Sequence, residues 1–264
     1  MEQKLPGRAV NRYIRGWVKS SNGRGPIAQV EVHRTACIVT HPPGGEGANA
    51  ALVVPANERL VGTQFTPEEC WSNLHGDPTT GRWDKDFAVY PHQAVDGLVT
   101  EFGGPELRRA LEELPADCDG VRCAIGSAVT TPSFSELSEM YGALIHAPPP
   151  TYRLLQHSDW SEQLQRTYHS AFRMAALSGL TTLAVPLLGA GARGAPMAEA
   201  IDVAATATMS WTSDLAEPSA LTVRFGLQSS TDAHALCDAL DNALQEPPLV
   251  DFEVATAPPP ARWS

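Results

Sequence analysis

Residues 181–197, TTLAVPLLGAGARGAPM, set an apolar run against a glycine- and alanine-rich loop and then a proline able to open a helix. A chain that passes from strand to small-residue loop to helix start builds a layered α/β unit with an anion site at the turn. Glycines let the backbone approach a ligand closely. The free N–H groups and dipole at a helix start favour phosphate oxygens. Gly189, Gly191 and Gly194 also spell GxGxxG. A dinucleotide fold would end its next strand in an acid that holds ribose hydroxyls. Here that strand ends Gly226-Leu227-Gln228-Ser229, so an NAD-dependent oxidoreductase is the weaker alternative. A tight turn with no ligand stays open, although the run Gly189–Ala195, small but for Arg193, is longer than a turn needs.

The segments around the loop alternate in type. Residues 29–39 and 50–55 are apolar enough for strands, and Pro42-Pro43-Gly44-Gly45 breaks between them. Pro105 opens PELRRALEEL, whose Leu107, Ala110, Leu111 and Leu114 share a helical face. Residues 121–130 and 141–147 read as strands, the second stopped by Pro148-Pro149-Pro150. Asp159 with Glu162 forms a capping pair ahead of a helical stripe of Leu164, Tyr168, Ala171, Phe172 and Ala175, which Gly179 stops. A helix follows the loop, with Met197, Ile201, Ala204, Ala205 and Thr208 on one side. Residues 220–227 read as a strand, and Thr231–Gln245 as a last helix. Alternation of strand and helix predicts an α/β layered fold with a largely parallel sheet.

The 264 residues suffice for one large domain. A formal net charge of −11 argues against nucleic acid as a partner, since broad binding needs basic surface. One nucleotide held by backbone amides remains compatible with it. Five scattered cysteines without a CxxC argue for a reducing, cytoplasmic setting. No apolar run reaches the ~20 residues of a membrane span. Near the start, Arg8, Arg12, Arg15 and Lys19 fall on one helical face, and Val10, Tyr13, Ile14, Trp17 and Val18 mostly on the other. Residues 1–28 therefore read as a basic helical extension docked by its apolar face. An organelle transit peptide, and so a mitochondrial or other organellar location, is the alternative. Residues 246–264 hold five prolines and read as a loose Pro-rich tail. No internal repeat is visible, and a monomer is expected.

The loop and its flanks, AVPLLGAGARGAPMAEA, resemble the second phosphate-binding loop of the macrodomains, the ADP-ribose-binding family. Residues 52–60, LVVPANERL, resemble the family's strand and its Asn-Ala-Ala-Asn stretch, with Asn57 on the second asparagine and Pro55 replacing the first. Residues 94–107, AVDGLVTEFGGPEL, resemble its valine-aspartate-glycine turn and following helix, with Asp96 on the catalytic aspartate. Cys123, Gly126, Thr130 and Thr131 resemble its central strand, and Leu144-Ile145-His146 its isoleucine-histidine strand end. These motifs run in one order over roughly residues 30–245.

The resemblance implies a three-layer α/β/α sandwich with a mixed, largely parallel central sheet over residues 29–245, interrupted by an insertion at about 63–92. It implies that the chain binds ADP-ribose and hydrolyses its conjugates, as mono-ADP-ribosyl-protein or O-acyl-ADP-ribose. A catalytically silent reader of ADP-ribose is the alternative. Asn57 would hold the distal ribose hydroxyls, and Asp96 would orient a water or the 2″-hydroxyl. A carboxylate there also stabilises positive charge that grows on the sugar. Gly189, Ala190, Gly191, Ala192 and Gly194 would offer amides to the pyrophosphate. Gly62, Val95, Gly97, Leu188 and Arg193 are the further ligand contacts it implies. No cofactor is implied.

Read without the family, Asp96 can be a helix N-cap and Asn57 a turn asparagine bonded to its own backbone. His146 reads as a satisfied core histidine. Four departures stand against the resemblance. Asp96 follows Asn57 by 39 residues. Arg193 occupies a position where the family often stacks an aromatic. Cys37 stands where an aspartate bonds the adenine amino group, unless Glu46 serves. Pro55 replaces an asparagine. The insertion carries Cys70, His75, Asp77, Asp84, Asp86 and His92, but their spacing does not match a tight zinc ligand set.

Overall fold

A computed structural model describes residues 12–21, 25–44, 47–61, 95–214, 221–245 and 252–255. Eight strands form one sheet among these residues: β1 (Arg12–Ser21), β2 (Gly25–Arg34), β3 (Gly47–Val54), β4 (Val129–Pro132), β5 (Tyr141–His146), β6 (Thr182–Val185), β7 (Thr222–Leu227) and β8 (Phe252–Ala255). Their order across the sheet is β4-β5-β3-β6-β7-β2-β1-β8. The five strands β5, β3, β6, β7 and β2 are parallel, while β4 on one edge and β1 and β8 on the other pair antiparallel.

Strand β3 shows why the parallel part lies inside. Ala51 and Val53 join one apolar cluster and Ala50, Leu52 and Val54 the other, all buried. A strand apolar at successive positions must be covered on both faces. Helices α2 (His157–Leu177), α3 (Met197–Asp214) and α4 (Ser230–Gln245) cover the first face. Helix α1 (Val95–Glu112), with the 3-10 turn Ser135–Glu139, covers the second. The result is the expected three-layer α/β/α sandwich with a mixed central sheet.

Helix α2 buries Trp160, Leu164, Tyr168, Ala171, Phe172 and Ala175, a stripe at helical spacing. It ends where Gly179 takes φ 69° and the Leu180 N–H returns to the Ala175 carbonyl. Its N-cap is Gln156, so Asp159 lies inside the first turn and the expected Asp159–Glu162 cap is not formed. In α1 the expected helix from Pro105 is the second of two segments. Gly104, at φ 62°, breaks the helix before Pro105, which has no N–H to donate.

Three expectations are corrected. The basic extension is not helical where it is described: residues 12–21 form β1, hydrogen-bonded to β2. Its aromatic and β-branched residues suit a strand as well as an apolar helix face, and the neighbouring edge supplies the pairing. The tail is not wholly loose, because Phe252–Ala255 pairs with β1. Of residues 121–130 only the end is strand, since the amides of Arg122 and Cys123 both donate to the Glu58 carbonyl and fold that segment into a turn. The insertion at 63–92, with its Cys70 and His75 set, lies outside the described residues, as do Glu46 and Gly62. Among the described residues no helix is long and apolar enough to cross a membrane.

Candidate functional site

Strands β5, β3 and β6 lie side by side and point the same way, so the segments leaving their carboxyl ends emerge together. These are residues 147–151 after β5, the 55–61 turn after β3 and the 186–194 loop after β6. In open α/β sheets this edge is where ligands bind.

The 186–194 loop is built around two left-handed glycines, Gly189 at φ 84° and Gly194 at φ 77°. Gly191, the middle glycine of the GxGxxG spacing, needs no such conformation. Internal turns fix the loop's end: the Gly194 N–H donates to the Gly191 carbonyl at 2.9 Å, and that of Ala195 to Gly189 at 3.0 Å. At its start the Leu188 N–H donates to the buried Tyr168 hydroxyl at 2.8 Å. Leu188 itself is fully buried, facing the core and not the cleft. Between these ties, the amides of Gly189, Ala190, Gly191 and Ala192 enter no hydrogen bond among the described residues. Four successive uncommitted amides leading into helix α3 are a ready anion cradle.

Across from this loop, Asn57 sits half-buried in a turn. Its Oδ1 accepts the N–H of Arg59 at 3.1 Å and of Val61 at 3.4 Å, and its carbonyl accepts the Leu60 N–H at 3.0 Å. Leu60 adopts φ 55°, a left-handed conformation that this bonding must hold against its side chain. Asp96 lies in the first turn of α1, with only 7% of its surface exposed. Val95 is already helical, so Asp96 is not the residue preceding the helix. Chain neighbours of Asn57 and of Asp96 share one apolar cluster. Ala56 and Leu60 on one side and Val99 on the other belong to the same buried cluster, with Val95 packed against it. Gly97 follows in the same turn, half-buried.

Arg193 reaches over from the loop. Its Nη1 donates to Thr151 Oγ1 at 3.0 Å and Glu58 Oε1 at 3.4 Å, and its Nη2 to the Ala56 carbonyl and Glu58 Oε2, each at 3.2 Å. Its own carbonyl accepts the Tyr152 N–H at 2.9 Å. The Tyr152 hydroxyl donates to both oxygens of Glu199 on α3, at 2.9 Å each, and this bond raises the phenol's pKa. His157 Nε2 stands 2.9 Å from the same carboxylate. Burial, and then the charge of Glu58, push the Cys123 thiol up to about 11, so it is a packed thiol with no thiolate to react. His146 is fully buried, 3.0 Å from Thr131 Oγ1, in the core role expected of it.

At the far end of this edge, β2 leads into residues 35–44. Cys37 is half-buried there, and its carbonyl accepts the His41 N–H at 2.8 Å. Sequence reasoning missed Glu58, Thr151 and the Tyr168 hydroxyl. Glu58 follows Asn57 directly, yet nothing local ties it to Arg193, 135 residues away. Tyr168 was legible only as one apolar position in a stripe.

The macro domain family profile matches residues 80–204. A macro domain-containing protein of Xanthomonas campestris is 32% identical over 117 residues, which are 44% of this chain and 63% of that protein. The chain therefore spans less than two thirds of that relative's length. A macro domain-containing protein of Vibrio parahaemolyticus is 31% identical over 138 residues, 50% of this chain and 78% of that protein. Among solved structures, a variant of the Oceanobacillus iheyensis macrodomain with ADPR superimposes with a TM-score of 0.61 at 18% identity, covering 87% of this chain and all of that one.

Proposed function

The chain belongs to the macro domain family, and from that premise we propose that it binds ADP-ribose in the cleft between the 55–61 turn and the 186–194 loop and hydrolyses ADP-ribose conjugates. The observation that carries the binding is the set of uncommitted amides from Gly189 to Ala192 at the carboxyl edge of the parallel strands. Free backbone amides ahead of a helix suit phosphate oxygens, and a chain of net charge −11 needs such fixed dipoles to hold them. The structural relative with ADPR supports the same ligand.

Hydrolysis is inferred from Asp96. Its carboxylate is buried at a helix start, where dipole and low dielectric favour charge–charge interaction with a sugar that becomes positive as the glycosidic bond breaks. Asp96 orients the attacking water or the 2″-hydroxyl, and Asn57 fixes the ribose hydroxyls beside it. The substrates are mono-ADP-ribosylated protein or an O-acyl-ADP-ribose. Binding without turnover is the second reading, favoured by one observation: Asn57 Oδ1 already closes its own turn.

The test runs in two steps. Calorimetry with ADP-ribose should give saturable binding below millimolar concentration, and no binding there removes both readings. Incubation with an ADP-ribosylated protein should then release label, with D96A slowed about 100-fold, the scale for losing one charge-stabilising group. Equal release by wild type and D96A would leave the reader as the function.

A further inference from the structure

We propose that Arg193 is the positioning residue for Asn57: it grips the turn that carries Asn57 from the opposite rim, so that the pyrophosphate loop and the ribose-side turn move as one unit. The proposal takes its ligand from the ADP-ribose reading and its mechanics from the geometry alone. Ala56 and Glu58 are the two chain neighbours of Asn57, and the Arg193 guanidinium holds both, through the Ala56 carbonyl and both oxygens of the Glu58 carboxylate. A planar fork meeting a carboxylate at two points fixes orientation as well as distance, which a lysine ammonium does not. The pair is sheltered, with side-chain exposures of 21% for Arg193 and 30% for Glu58.

The other side of the turn is fixed independently. The Arg122 and Cys123 amides hold the Glu58 carbonyl at 2.9 and 3.0 Å, and Arg122 Nη1 donates to the Arg59 carbonyl at 3.2 Å. Arg193 is thus the grip from the loop side, and it sits in the chain between Ala192 and Gly194, beside the amides offered to the pyrophosphate. Seating phosphate oxygens on those amides also sets the guanidinium, and with it Asn57. Glu58 meanwhile neutralises a cation that would otherwise face the phosphates, so the positive charge of Arg193 is directed into the protein. This is a role different from the direct ligand contact that its place in the loop suggests.

ADP and ADP-ribose separate the two rims, because ADP engages the loop and only ADP-ribose adds the distal ribose. The experiment measures both affinities by calorimetry for wild type, R193Q, R193K, E58A, N57A and the N57A/R193Q double variant. It adds hydrogen exchange of residues 55–61 in the ligand-free protein. All three single variants at positions 193 and 58 should cut the gain of ADP-ribose over ADP by about five- to tenfold, the scale of one ordinary hydrogen bond, because Arg193 acts on the ribose only through Asn57. They should leave ADP within about twofold and speed exchange in the turn. In the N57A background R193Q should add nothing to the loss. Equal weakening of ADP and ADP-ribose by R193Q, or tighter ADP binding by E58A, would mean that the guanidinium serves the phosphates and would overturn the proposal. Full retention of the gain by R193K would overturn it too, since charge without the fork would then suffice. If wild type binds neither ligand, the ADP-ribose reading falls and exchange alone decides the grip: faster in R193Q sustains it, unchanged refutes it.

Discussion

Tyr168 has no exposed surface, and its hydroxyl is the acceptor for the Leu188 N–H at the start of the 186–194 loop. Burial raises the phenol's pKa far above its ordinary value, so the group stays protonated. Y168F removes an acceptor and adds none, leaving a fully buried amide unpaired. That loss costs about 1–3 kcal/mol, and urea unfolding should show it as a lower midpoint at unchanged slope. The same variant should weaken ADP-ribose, because the amides that follow Leu188 lose their anchor. An unchanged midpoint would mean the loop finds another acceptor. The loop's glycines were legible as a pattern, but their individual roles were not. Gly189 and Gly194 need their left-handed φ, while Gly191 does not. Spacing alone cannot separate a glycine required by backbone conformation from one that only keeps a side chain out.

The elements most legible in the chain were those whose burial is one-sided and regular. Helix α2 shows its stripe plainly, and β5 shows an apolar run stopped by prolines. Strand β1 misled because residues spaced three and four apart satisfy a helix and a bulged strand alike; its register with β2 slips between Tyr13 and Arg15. The pairing that decides the matter is non-local and leaves no mark in the segment itself. Strand β5 carries a prediction of the same non-local kind. Gly142 lies where β3 enters the sheet, and a Cβ there would collide with the Ala48 backbone carbonyl. The ladder between β3 and β5 is irregular at this point, between Gly47 and Ala51. Backbone cannot swing aside as a side-chain tip can, so G142A should destabilise by about 1–3 kcal/mol, as overpacking does. Thermal unfolding monitored by circular dichroism would register it, and a wild-type midpoint would show that the start of β3 is free to shift. Binding of ADP-ribose by the folded variant should survive at low temperature, since the loops leave from the opposite ends of these strands.

Across the whole molecule, the two-sided apolar core and the order of strand and helix were open to sequence reasoning, while the contacts that join separate segments were not. Arg193 to Glu58, Arg15 to Asp241 and Arg224 to Glu31 each join residues more than a hundred positions apart. Inside this core lie groups whose protonation the fold controls, and these set how stability depends on pH. His146 is fully buried, and burial pulls its pKa from 6.5 down to about 4. Between those values the unfolded chain binds a proton that the folded protein refuses. Stability from this group is therefore complete above pH 6.5 and declines as the pH falls toward 4. The difference amounts to about 3 kcal/mol. Glu31 acts lower in the same direction. Burial alone would raise its pKa, but His33 and Arg224 overcome that and hold it below the ordinary value, so its contribution disappears only as acid protonates the folded carboxylate. Urea unfolding at pH 7, 5.5 and 4.5 should show stability falling through the histidine window in wild type. H146Q should flatten that fall whatever its own stability at pH 7, because the slope counts protons and not contacts. Parallel slopes for the two proteins would show that the acid sensitivity of this fold arises elsewhere.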